Sequence, residues 1–231
     1  MRGWSTLVML LLASGCGRDV VVAAPEAASC EVSASLRPLV VDWAAADRGA
    51  LEVRLRQGPV AARYEGCALE ILPRCEVPGA LVYTGITRKQ DRVAIRDADE
   101  LRAQLTFGAL RLASRLARAG ELQVDMTLVG AFAVDRPAVR ADELRGRCDG
   151  ATHVLTAAQV GAFAFYVGGR AEVAVDGAAL GVGAGGKTSA ERELLTADGD
   201  PAACAAATTA DRAAPAGCGA LVRVEFLPLA P

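Results

Sequence analysis

The chain is short of the residues that carry most chemistry. Its 231 residues include one histidine, His153, and two lysines, Lys89 and Lys187, and only 4% are aromatic. A single imidazole and the absence of any C-x-x-C pair argue against a structural metal centre. No G-x-S-x-G stretch supplies a nucleophile elbow. Glycoside hydrolysis needs two carboxylates across a cleft, usually beside aromatic platforms for sugar, and the aromatics are too few. The net charge of −2 gives no field that would attract nucleic acid or an anionic membrane surface. One apolar run stands out, at the N-terminus, and no internal repeat or coiled coil is visible.

What is present begins with that run. The chain opens MRGWSTLVMLLLASGCG, with Arg2 as a positive start, Leu7 to Ala13 apolar, and small residues before Cys16. This pattern is that of a secretory signal peptide, and the run is far below the roughly 20 residues of a membrane-spanning helix. The stretch Leu-Ala-Ser-Gly-Cys resembles the lipobox of bacterial lipoproteins, with Ala13 where that family prefers leucine. The resemblance implies cleavage before Cys16, a diacylglycerol on its thiol and, with Gly17 rather than Asp after it, an outer-membrane location. It covers about 16 residues and says nothing of the folded part. Residues 1–15 are then signal, 16–37 a tether rich in Ala and Ser, and 38–231 one globular domain with a possible sub-boundary near 136–150.

With Cys16 lipidated, six cysteines remain, an even number that reads as disulfides in an oxidising compartment. Spacing favours Cys67–Cys75 and Cys204–Cys218 as local bridges, which leaves Cys30–Cys148 at long range.

Helices and strands are interspersed. Asp42 stands where an N-cap would precede WAAADRGALEVRLRQ, and Gly58-Pro59 would stop that helix. VAARYE and ALEIL read as two strands around Glu65-Gly66. ALVYTGIT and RVAIR read as a pair joined by a turn at RKQD. Asp97 with Glu100 opens a helix over 97–119, with Leu101, Leu105, Leu112 and Leu116 on one face and Gly120 after it. A strand over 122–135 and a short helix over 139–147 follow. ATHVLTAAQVGAFAFYV, AEVAV and ALVRVEFLPL read as strands, with turns at Gly168-Gly169 and Asp176-Gly177. The fold class is α+β, a mostly antiparallel sheet with two or three helices, braced by disulfides.

Gly181, Gly186, Lys187 and Thr188 spell the phosphate-loop pattern G-x-x-x-x-G-K-[ST]. A turn separates them from the strand before, and only 43 residues follow Thr188. That is too few for the parallel sheet such a loop sits on, and no apolar run there ends in a metal-holding aspartate. The match is read as chance, with glycines permitting a bulge or bend. His153 alternates with apolar neighbours and reads as structural. Asp97 with Asp99, and Asp198 with Asp200, read as a helix start and a turn; the latter pair lacks the further ligands of a calcium loop. No catalytic residue, metal or cofactor is expected, and neither nucleotide nor nucleic acid as ligand.

Three functions remain open. The first is a lipid-anchored envelope protein with a non-enzymatic binding or structural role, acting through sheet edges and loops on an envelope protein partner. The second is a subunit of an oligomeric envelope assembly. Residues from 139 through GATHVLTAAQVGAF to the glycine-rich run faintly resemble the α/β lipoproteins of the curli secretion channel, which implies barrel arms from residues 157–189. The third is an extracytoplasmic enzyme whose site the sequence does not display.

Overall fold

The structure, a computed structural model, describes residues 36–65, 68–105, 109–136, 138–168 and 192–230. Cys16, Cys30, Cys67, the AEVAV stretch and the phosphate-loop residues Gly181, Gly186, Lys187 and Thr188 lie outside them. The elements are α1 (Ala45–Leu55), β1 (Val60–Glu65), β2 (Ala68–Glu76), β3 (Leu81–Ile95), α2 (Ala98–Gln104), α3 (Ala109–Ala119), β4 (Leu122–Val134), β5 (Arg145–Gly146), β6 (His153–Val167), β7 (Glu193–Asp198) and β8 (Ala220–Pro228). All strand pairings are antiparallel, in one eight-stranded sheet of order β3-β4-β6-β1-β2-β5, with β7 and β8 also on β6. The molecule is an α+β fold with a mostly antiparallel sheet, three helices and two disulfides.

The strand β6 is the spine. Its 15 residues pair with β4 and β1 along one side and with β7 and β8 along the other. Successive side chains of a strand point to opposite faces. Leu155, Ala158, Val160 and Ala162 accordingly join one buried cluster, with Trp43, Leu51 and Leu55. Phe163 and Phe165 join another, with Leu101, Leu105, Leu112 and Leu116 of α2 and α3. Gly161 faces the β4 backbone so closely that a Cβ there would overlap the Thr127 carbonyl.

Several expectations are corrected. RKQD makes no turn: β3 is one 15-residue strand, in which Gly85 to Lys89 spans the length that Gly130 to Leu128 covers on β4. Residues 88–91 offer no glycine for a tight hairpin, so the polar stretch bulges and runs on. The helix over 97–119 is two. Leu105 is extended and bridges to Leu39, whose N–H donates to the Gln104 carbonyl at 2.8 Å. A strand-like contact from the N-terminal segment thus takes the backbone group a continuing helix would use. Asp97 does cap α2, accepting from the N–H groups of Asp99 and Glu100. Ala44, not Asp42, is the residue before α1, and it makes no side-chain cap. Residues 139–147 form one 3-10 turn at 141–143 and then β5. They connect β4 to β6 inside one sheet. Leu36 already pairs with Phe226 and Arg37 with Glu225, so the folded part starts ahead of residue 38.

The disulfides are Cys204–Cys218 and Cys75–Cys148. The second replaces both expected pairings that contain its cysteines, Cys67–Cys75 and Cys30–Cys148. The reason is topological: Cys75 lies opposite Gly146 on paired strands, which brings Cys148 alongside.

Candidate binding face of the sheet

The face of the sheet that carries Phe163 and Phe165 is covered over half its length. Along β4, Leu122, Val124 and Met126 lie under α2 and α3, and along β3, Ile95 does. Past these the same face continues as Asp91 on β3, Leu128 and Ala131 on β4, Ala157 and Gln159 on β6, and Arg223 and Glu225 on β8. These residues line a groove of about 440 Å³ with Arg37 at its rim. The register confirms that they share a face, since Asp91 is opposite Met126, Ala131 opposite Gln159, Gln159 opposite Arg223 and Ala157 opposite Glu225. Two bulges set this arrangement. The extra residue Val129 points into the first cluster and passes the groove face on to Ala131. The extra residue Val222 stays in the helix-covered cluster, and Arg223 beside it lines the groove.

The floor is low because its central side chains are alanines, half-buried Ala131 and Ala157. The walls are ionic. Arg37 donates to Glu225 at 2.9 Å. Arg223 donates to the Arg37 carbonyl at 2.9 Å and to the Gln104 amide oxygen at 3.4 Å. No carboxylate among the described residues lies within ion-pair distance of it. Burial pulls its guanidinium below the usual arginine range; the field of Asp91 opposes this and that of Arg37 adds to it. A guanidinium has five N–H donors, so three of Arg223's have no acceptor among the described residues. Asp91 on the opposite flank accepts only from the backbone N–H of Arg92, and no described cation pairs with it. Gln159, between them, is exposed. A partly desolvated, unneutralised charge in a cleft is the kind of group that marks a functional site.

The sheet edges, by contrast, are blunted. The β3 edge carries Arg88, Lys89, Asp91 and Arg92 and its bulge, and β2 carries Pro73. Charges, bulges and proline are the usual protections against added strands. A second groove, about 460 Å³, runs between α1 and β2 over Trp43, Leu51, Leu69 and Ile71. Its floor is apolar, with Asp47, Arg54, Glu70 and Arg111 also in the lining; of these Glu70 pairs with Arg63, and Arg54 donates to the Pro73 carbonyl.

The other residues singled out from sequence have structural work. His153 is fully buried, its Nδ1 2.9 Å from the Thr152 hydroxyl and its ring edge-on to Tyr64. Asp198 pairs with Arg48 at 3.2 Å and accepts from the Gly199 N–H, and Asp200 accepts from the Ala202 N–H. The groove residues were not singled out beforehand. The alternation of ALVRVEFL does mark Arg223 and Glu225 as one face of a strand. Nothing in it shows that the neighbouring strands leave that face open.

No protein-family model matches the chain, and neither a curated protein nor a solved structure matches it.

Proposed function

We propose that the protein is a lipid-anchored, non-enzymatic binding protein of the outer membrane that holds an envelope partner on the open half of its sheet. The observation that carries the reading is Arg223: a half-buried cation with no acidic partner among the described residues, in the wall of a groove that none of the described helices covers. The lipobox at Cys16 supplies the anchor, and the two disulfides fit the oxidising compartment that a secreted chain enters. The groove lining holds no serine, threonine or cysteine nucleophile, and of its two carboxylates Glu225 is tied to Arg37. That speaks for binding over catalysis. The channel-subunit reading would use residues 157–167 as part of a barrel arm; in this sheet that stretch pairs with β4 on one side and with β7 and β8 on the other.

The test is a photo-crosslinking residue at Gln159 in the full lipidated chain, with a control at Arg118 on the exposed side of α3. A discrete adduct from position 159 alone is expected. Equal labelling from both positions, or none, overturns the binding-face reading. A ladder of homo-oligomers would replace it with the assembly reading.

A further inference from the structure

Resting on that reading, we infer that the groove takes a short zwitterionic peptide of about three small apolar residues, its carboxylate on Arg223 and its ammonium group on Asp91. The charges select the chemistry. The four ionic groups of the groove, Arg37, Asp91, Arg223 and Glu225, sum to zero. Arg37 and Glu225 neutralise each other at 2.9 Å, which leaves one cation and one anion open. A phosphate dianion would meet a single open guanidinium and be repelled by Asp91 and Glu225. A monocarboxylate needs one guanidinium, with which it forms a charge-assisted and often bidentate pair.

The spacing selects the length. Arg223 and Asp91 stand on the outer two of the four strands β8, β6, β4 and β3 that floor the groove. Three inter-strand steps of about 4.8 Å separate them across the sheet, and Asp91, in the row of Met126 and Phe163, stands four residues or about 13 Å further along than Arg223, in the row of Gln159, so their backbones lie about 19 Å apart. The carboxylate and ammonium of a free amino acid are far too close together to reach both. An extended chain of three residues covers about 10 Å, and a hydrogen bond of about 3 Å at each end together with the length of the two side chains supplies the rest. Between the two ends Gln159 offers an amide for a peptide group, and Leu128, Ala131 and Ala157 offer room only for small side chains.

The test is calorimetric titration of the full lipidated chain in detergent with tri-alanine, its C-terminal amide, its N-acetyl form, free alanine and inorganic phosphate. Tri-alanine is expected to bind. Amidation and acetylation should each weaken it about tenfold or more, the loss expected for one hydrogen-bonded charge; alanine and phosphate should give no comparable heat. Asp91→Asn should erase the penalty for acetylation and keep that for amidation. Arg223→Gln should abolish binding. Because Arg223 also braces residues 37 and 104, Ala157→Leu is the second variant: it fills the floor without altering an ionic group, and it too should abolish binding. No heat from tri-alanine, an amide that binds as tightly as the acid, or phosphate that competes equally overturns the inference. An adduct from Gln159 together with silent peptides would sink the peptide assignment and leave the binding face standing.

Discussion

Removal of the Cys75–Cys148 bridge should cost more than its place beside the short strand β5 suggests. The bridge closes a loop with a sequence separation of 73, against 14 for Cys204–Cys218. The chain-entropy relation then assigns about 4.4 kcal/mol to the first and about 3.0 kcal/mol to the second. Cys204 and Cys218 are fully buried in a core cluster, so replacing them also removes packing. That loss adds about 1 kcal/mol or more. Total stabilities of the two double-alanine variants will therefore lie close together, and kinetics must separate them. A constraint on the unfolded chain slows folding when it is removed, whereas lost native packing speeds unfolding. Urea chevrons of Cys75→Ala/Cys148→Ala should show most of the loss in the folding limb. Those of Cys204→Ala/Cys218→Ala should show a distinct rise in the unfolding limb. A loss below about 1.5 kcal/mol for the first variant, or one carried by its unfolding rate, would refute the entropic account.

Gly161→Ala should cost about 3 kcal/mol or more, because its Cβ meets the Thr127 backbone and β6 or β4 must move. Gly49→Ala on exposed α1, with nothing within 4 Å, should stabilise by about 0.5–1 kcal/mol; thermal melts of the pair check both signs. Arg48 is 3% exposed, donates to Asp198 and to the Trp43 carbonyl, and lies over Phe163. Arg48→Ala should cost about 3 kcal/mol in urea unfolding, as breaking a buried pair does. Asp125 is pushed up by burial, but hydrogen bonds from Arg92, Arg192 and Gln123 more than offset this and hold it below the usual carboxylate range. Its stabilisation is present above the unfolded pKa of about 4 and lost as pH falls through the lower folded value. Asp125→Asn should thus weaken the fold at pH 7, with the gap closing below about pH 4. Glu52 is raised by burial and then by Asp198, so Glu52→Gln should stabilise at pH 7, with the gain vanishing below about pH 4.

The strands with apolar alternation could be read in the sequence. The long runs that became β4, β6 and β8 stand close to where the pattern puts them, because burial on at least one face writes period two into the residues. What failed to show depended on contacts distant in sequence. RKQD looks like a turn because it is polar, yet it is an edge bulge held open by pairing with β4. The leucines of 97–119 keep helical spacing across the break between α2 and α3, because both halves pack on the same cluster. The break itself comes from Leu39, more than sixty residues earlier. Cys75 finds Cys148 only once β5 has paired with β2. The groove is the extreme case. Its four ionic residues come from three separate segments, and none has a local pattern that distinguishes a ligand-facing side chain from a solvated one.

The location of the open face nonetheless follows from element lengths. Strands of 15 residues, as β3 and β6 are, extend about 50 Å. The helices that cover this face are 7 and 11 residues long, or about 10 and 16 Å. Even end to end they would roof about half of the sheet. The uncovered half then has two options. It can become fully polar, like the outer face of many antiparallel sheets, or it can keep a low apolar floor with charges at the flanks. This chain keeps Leu128, Ala131 and Ala157 in the middle and places Asp91, Arg223 and Glu225 around them. Alanine at the centre of a sheet contributes little packing energy, and a half-buried arginine with no acidic partner among the described residues costs desolvation. Stability alone favours neither choice, and a ligand that fills the floor and meets the open charges accounts for both.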